Sequence, residues 1–178
     1  MVRSHLERRG TINNRQAARS HFDDFLLTVQ ELEPSDDELT LASAIEEAAI
    51  TLGLDLDGGE SQLCAIAVFR SSPLLLTGDK RAIAGAEIAQ GPVGALSALQ
   101  GRIVCLEQAI MGIANRIGHH AVRSAICAEP HIDRTLSICF RCGRADSDLE
   151  RSTYEGLVSY VNNLREHALT LLYADDAL

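Results

Sequence analysis

Tryptophan is absent from this 178-residue sequence, and all aromatics together make up only 4% of it. A core built without them must come from Leu, Ile, Val and Ala. No apolar run approaches the ~20 residues that a membrane-crossing helix needs, so no membrane span is expected. Lysine is nearly missing as well: of 16 basic residues, only Lys80 is a lysine. The Arg-rich residues 1–10 have no apolar segment behind them, which excludes a secretory signal and leads to the expectation of a cytoplasmic protein. Cysteine is scarce and odd in number, at Cys64, Cys105, Cys127, Cys139 and Cys142. Without an export signal, five cysteines predict reduced thiols and no disulfide framework. Positive charge is also short. The net charge of −9 excludes broad electrostatic attraction to nucleic acid. It leaves room for an enzyme whose acidic pocket holds a divalent cation, since the cation then supplies the local positive charge. What is present, 46% hydrophobic and 23% charged residues, fits one globular domain of ordinary size.

Along the chain, residues 11–24 read as a polar helix with Asn13 and Asn14 available as caps. Residues 25–32 (FLLTVQEL) alternate well enough to predict a strand, closed by Pro34. Ser35 followed by Glu38 three residues later is a capping box. It opens a helix whose apolar positions, Leu41, Ala42, Ile45, Ala48, Ala49 and Leu52, recur near the 3.6-residue period. Gly53 closes it. Gly58 and Gly59 break the chain before a helix opened by Glu60. The compact apolar run 73–77 ends in Gly78-Asp79 and predicts a strand buried on both faces, as in a parallel sheet. Residues 80–90 read as a helix, Gly91, Pro92 and Gly94 as a turn region, and 103–106 as a second short buried strand. Helical pattern then dominates 107–127, 132–141 and 148–174. Strand and helix alternating in this way indicate an α/β fold with a mostly parallel sheet, followed by a C-terminal helical extension. The expected organisation is an α/β domain over residues 1–110 and a helical part over 111–178.

Residues 54–82 (LDLDGGESQLCAIAVFRSSPLLLTGDKRA) are the most informative block. They place one acid, Glu60, in the first turn of a helix, and another, Asp79, at the carboxyl end of the next strand. Sites in open parallel sheets form outside those carboxyl ends, so the two acids can converge on one crevice. Hard cations such as Mg²⁺ or Mn²⁺ take oxygen ligands of this kind. Such an ion can activate water and stabilise charge on a phosphodiester.

The order and spacing of Asp57-Gly58-Gly59-Glu60, Ala65 and Ala67 on the helix, and Leu74-Leu75-Leu76-Thr77-Gly78-Asp79 resemble the third- and fourth-acid region of PIN-domain proteins. The likeness covers roughly residues 15–110. It implies a three-layer PIN-like fold and a Mg²⁺- or Mn²⁺-dependent nuclease, usually a ribonuclease, with RNA as substrate. Glu60 and Asp79 would be the metal-binding acids, and Thr77 matches the family's frequent Ser/Thr two residues before the last of them. A bacterial toxin–antitoxin setting, with an antitoxin-like partner, is implied by the family alone; a homo-oligomer is left open. The chain departs from the pattern at its start. The family's first strand, ending in Asp, has no counterpart before Phe25. Its second acid, a Glu on an early helix, has no clear match, although Asp23, Asp24 and Glu31 lie nearby. The expectation is half of a metal site, with the first strand lost or encoded upstream. The alternative is a non-catalytic PIN-like binding or regulatory module.

Each candidate has a plainer reading. A carboxylate in a helix's first turn, like Glu60, is favoured by the helix dipole alone. Asp79 can simply cap the helix that starts at Lys80, and Asp57 reads first as a turn or cap residue and only second as a metal ligand. Lys80 and Arg81 can hold a substrate phosphate or lie solvated on a helix. Gly58 and Gly59 suit a tight turn; no P-loop spacing is present. Cys139 and Cys142 form a C-x-x-C pair that Cys127 and His131 could complete as a four-ligand zinc site; otherwise these cysteines are small core hydrophobes. Arg123, Arg134, Arg141 and Arg144 alternate with Glu129, Asp133, Asp146 and Asp148, which reads as a salt-bridged helical surface.

Overall fold

The computed structural model describes residues 12–144 and 149–176. The Arg-rich start of the chain, Asp146 and Asp148 lie outside the described residues. Helix α1 (Arg15–Leu26) is capped by Asn14, whose side chain accepts the Ala17 N–H at 3.1 Å. The strand expected over 25–32 does not form. Phe25 and Leu26 finish the helix, and the Thr28 hydroxyl donates back to the Phe25 carbonyl at 2.8 Å. Leu27 stays 86% exposed. A strand needs partners for its backbone groups, and local alternation in this segment has none to meet among the described residues.

Helix α2 (Asp36–Leu52) opens on the expected capping box: Glu38 N–H donates to Ser35 Oγ, and Ser35 N–H to Glu38 Oε2 at 2.8 Å. Ala42, Ile45, Ala48 and Ala49 form its buried face. Gly53 ends it at φ +66°, a conformation only glycine adopts cheaply. Glu38 does a second job that the motif alone does not announce. Its carboxylate, buried to 3% exposure, accepts a two-pronged contact from Arg70 at 2.7 and 2.9 Å, and Arg70 also donates to the Glu33 carbonyl. The Arg70 hydrogen bond, then the Ser35 N–H, hold the Glu38 carboxyl down to about 2. The start of α2 is thereby pinned to the end of helix α3 (Gly58–Phe69).

Strand β1 (Leu75–Thr77) and strand β2 (Ile103–Cys105) pair in parallel, with Leu75, Leu76 and Thr77 opposite Ile103, Val104 and Cys105. Helix α4 (Lys80–Ala89) and a 3₁₀ helix (Gly94–Leu99) make the crossover. The α/β character is thus present, as a two-stranded parallel sheet in a largely helical chain. β2 is buried at every residue, as the sequence predicts for an interior strand; β1 is not, and Leu76 is 56% exposed.

Helix α5 (Leu106–Ile117) ends at Gly118, whose φ of +92° breaks the helix expected to run through 127, and α6 (His119–Ala128) follows. The short α7 (Arg134–Cys139) and the long α8 (Leu149–Arg165) complete the C-terminal layer. Residues 166–174, expected to be helical, instead return to the sheet. Ile103 N–H donates to the Leu171 carbonyl and Tyr173 N–H to the Ile103 carbonyl, with Leu172 bridging in parallel. Polar side chains draw this tail out of the helix. Glu87 accepts the Thr170 and Leu171 N–H groups, Gln108 Nε2 donates to the Tyr173 and Asp175 carbonyls, and Arg165 donates to the Ala174 carbonyl. One contiguous apolar core runs from Ala42 and Ile45 through Ile83, Leu96 and Leu99 to Leu157, Val161 and Leu171.

The cysteines correct an expectation. Cys127 and Cys142 are joined in a disulfide, whereas Cys64, Cys105 and Cys139 are free and buried. Two residues 15 apart in sequence meet because α6 and α7 form a hairpin. Arg123 donates to the carbonyls of Phe140 and Arg144 and so folds the 140–144 turn under α6. No helix among the described residues is long and apolar enough to cross a membrane.

Candidate functional site

Asp57 is the N-cap of α3. Its Oδ1 accepts the Glu60 N–H at 2.9 Å, and Glu60 Oε2 accepts the Asp57 N–H at 3.0 Å. Gly58 and Gly59 are therefore the first two residues of the helix, not a break before it. A Cβ on Gly59 would sit 3.3 Å from Asp57 Oδ1, and one on Gly58 the same distance from the Glu46 carboxylate.

Asp79 caps α4 at the carboxyl end of β1. Its Oδ1 accepts from Arg81 N–H at 2.9 Å and Ala82 N–H at 3.2 Å. Thr77 Oγ1 accepts the Asp79 N–H at 3.2 Å, which fixes the turn between strand and helix. The plainer readings of Asp57, Glu60 and Asp79 as caps thus all hold geometrically. They do not use up the carboxylates. Each cap bond goes to one oxygen, leaving Asp57 Oδ2, Glu60 Oε1 and Asp79 Oδ2 outside the caps.

These three acids share one open depression, lined by Leu54, Asp55, Leu56 and Arg81 besides. Burial raises the Glu60 carboxyl above its ordinary value, and the charges of Asp57 and Asp79 push the same way, against the Asp57 N–H and Arg81. Glu60 and Asp79 thus line one depression, and the charge of Asp79 bears on the Glu60 carboxyl. Among the described residues, no three His, Cys, Asp or Glu side chains stand close enough together to form a metal-holding group. The donor type suits a hard divalent ion; the described arrangement falls short in how tightly the oxygens are gathered.

The two basic candidates separate. Arg81 spans the depression, 3.6 Å from Asp79 and 3.7 Å from Asp55, with its side chain 72% exposed. Lys80 is directed elsewhere: its Nζ lies 2.5 Å from Glu107 Oε1 and 4.7 Å from the centre of the Tyr160 ring. Sequence reasoning did not single out Asp55, although the Asp55-Leu56-Asp57 alternation is the signal that puts both acids on one side of the chain. Glu107 was read only as a helix opener. It sits at the carboxyl end of β2, almost fully buried, with Oε2 lacking a partner among the described residues.

The zinc set does not assemble. Cys127 and Cys142 are consumed by their disulfide, Cys139 is a buried thiol that burial pushes up to about 11, and His131 is exposed. Comparison of the chain with protein-family models, curated proteins and solved structures finds no match.

Proposed function

We propose that the chain is a PIN-like, divalent-metal-dependent nuclease acting on RNA, with Asp57, Glu60 and Asp79 as the acids of its site. The observation that carries this reading is that three carboxylates, two from the start of α3 and one from the carboxyl end of β1, line one depression, each with an oxygen outside its cap bond. Like charges held together in this way cost stability unless something relieves them, and a divalent cation is the natural counter-charge. When bound, Mg²⁺ or Mn²⁺ would supply activated water and charge stabilisation at a phosphodiester. The chain's own residues would do the rest. Asp57 and Glu60 hold each other through the capping box, and Thr77 fixes the Asp79 backbone. Arg81, exposed and weakly paired, can swing to a substrate phosphate. Lys80 has no such part, because Glu107 holds it.

The test is cleavage of single-stranded RNA in Mn²⁺ by the wild type and by Asp79→Asn. The asparagine keeps a cap oxygen and removes the charge. Cleavage that requires Mn²⁺ and collapses in the variant supports the reading; cleavage undiminished in Asp79→Asn rejects it.

A second reading, a non-catalytic PIN-like binding or regulatory module, is favoured by one observation: among the described residues the acids do not close into a three-ligand group. It predicts that RNA stays intact in Mn²⁺ in wild type and variant alike.

A further inference from the structure

Helix α5 packs against α8 in the C-terminal half, and a cleft of about 320 Å³, partly open to solvent, remains beside their contact. None of its lining residues belongs to the acidic depression. Met111 and Ala114 stand three residues apart on α5, and Glu150, Thr153 and Leu157 three and four apart on α8, so each set lies on one helix face. Met111, Phe140 and Leu157 make an apolar floor, each at most 1% exposed. Ala114 brings only a methyl group to the wall. Polar groups complete the lining. Thr153, 2% exposed, donates its one hydroxyl proton to the Leu149 carbonyl at 2.7 Å. Its oxygen therefore accepts from His119 Nε2, 3.1 Å away. That assigns the tautomer of the neutral ring: Nε2 carries the proton, and Nδ1 keeps a lone pair. The ring is stacked on Phe140 with centroids 5.4 Å apart. His119 Nδ1 and the side chains of Asn115, Glu150 and Tyr154 have no hydrogen-bond partner among the described residues.

A concave apolar floor with a few polar groups around it is the ordinary form of a small-molecule site, and the order of those groups selects the ligand. Asn115, Glu150 and Tyr154 are exposed and form the mouth, whereas the carbon-lined floor is buried. Glu150 carries the one formal charge of the lining. The helix dipole alone favours a carboxylate in the first turn of α8; its position at the mouth of an apolar cleft is what bears on binding. A ligand that fits enters with its apolar end first and leaves a cation at the rim. A lysine side chain has the opposite polarity, since its ammonium is the leading end. A free amino acid carries a carboxylate beside its ammonium, and Glu150 repels it. At about 30 Å³ for each non-hydrogen atom in a condensed phase, the cleft takes at most about ten such atoms. We propose that it binds a small hydrophobic primary amine that lacks a carboxylate. The alkyl group rests on Met111, Phe140 and Leu157. The ammonium donates to the Glu150 carboxylate and to His119 Nδ1 and lies against the Tyr154 ring. This binding depends on neither metal nor RNA at the acidic depression.

The probe is isopentylamine, titrated into the metal-free protein at about pH 8, where histidine is ordinarily neutral and an alkylamine charged. Binding is read by NMR from the methyl groups of Met111 and Leu157 and the ring protons of His119. The expected result is a saturable shift of all three. Ala114→Leu fills the cleft and should weaken binding about tenfold or more. Glu150→Gln, a surface change that leaves the fold intact, should weaken it about threefold while leaving the binding of neutral isopentanol unchanged. Isohexanoate, the acid of similar shape, should bind less well than the alcohol. No saturable shift at tens of millimolar amine, equal binding of the amine and isohexanoate, or an amine affinity that Glu150→Gln does not change would overturn the proposal. So would shifts confined to residues 55–81, which would make the amine a mere counter-ion of the acidic depression, or tighter binding of leucine than of isopentylamine.

Discussion

Replacing Lys80 by methionine tests the most consequential reassignment of a residue, from substrate contact to internal strut. Lys80 Nζ and Glu107 Oε1 are 2.5 Å apart, with the side chains 30% and 3% exposed. At that distance and an effective dielectric of about 20, the gross attraction is roughly 7 kcal/mol. Desolvation of the pair and residual water at Lys80 offset much of it. Truncation is another matter, because it leaves a buried carboxylate whose second oxygen already lacks a partner. Removing one member of a buried pair costs about 3–5 kcal/mol; the exposure of Lys80 places this case near the lower end, at about 3 kcal/mol. For a chain of this length that lowers Tm by roughly 6–12 °C. Lys80→Met should show this loss by calorimetry, and Lys80→Met with Glu107→Leu should recover most of it, because the orphaned charge is gone. A loss below about 0.5 kcal/mol in the single variant, the range of an ordinary surface change, would refute the buried strut.

Three further outcomes follow from the same geometry. Changing Cys127 and Cys142 together to serine opens a 15-residue link and should cost about 3 kcal/mol; thiol titration of the unfolded, unreduced wild type should find the three free cysteines and not five. Glu60→Gln keeps the capping box, which accepts Gln, and removes a charge that burial and like charges disfavour. Because the Glu60 carboxyl is raised, its ionisation costs stability at neutral pH. The variant should melt higher at pH 7, with the gain vanishing below the ordinary value of 4.5; a variant that melts lower at neutral pH contradicts the repulsion. Glu38 runs the other way. Its carboxyl is held to about 2, so its contribution is complete above the ordinary range and fades as pH falls towards 2. Glu38→Gln should therefore melt below wild type at pH 7, the gap narrowing in strong acid, and a gap constant with pH would show that the charge on Glu38 is not what matters.

What could be read from the sequence was local. The Ser35–Glu38 box, the Gly53 stop and the short strand before Asp79 depend on residues close in sequence, and each forms where the sequence puts it, whereas the helix expected to open at Glu60 already begins at Gly58, capped by Asp57. The misses involve distant partners. Residues 25–32 alternate like a strand but have no strand to pair with among the described residues. Residues 166–174 have helical pattern but are captured by Glu87 and Gln108, far away in sequence. The Cys127–Cys142 link depends on a break at Gly118 and a hairpin that spacing does not reveal. At the candidate site, the grouping of Glu60 with Asp79 followed from strand topology. The direction taken by Lys80 did not, since it depends on Glu107 and Tyr160 from the C-terminal half.

Titration of Mn²⁺ into the wild type and Asp79→Asn, read by calorimetry, addresses the acidic depression itself. Binding by the wild type that weakens about tenfold or more in the variant is the predicted result. Equal heats in the two proteins, or no binding by the wild type at millimolar Mn²⁺, would contradict the assignment of Asp57, Glu60 and Asp79 to a metal site.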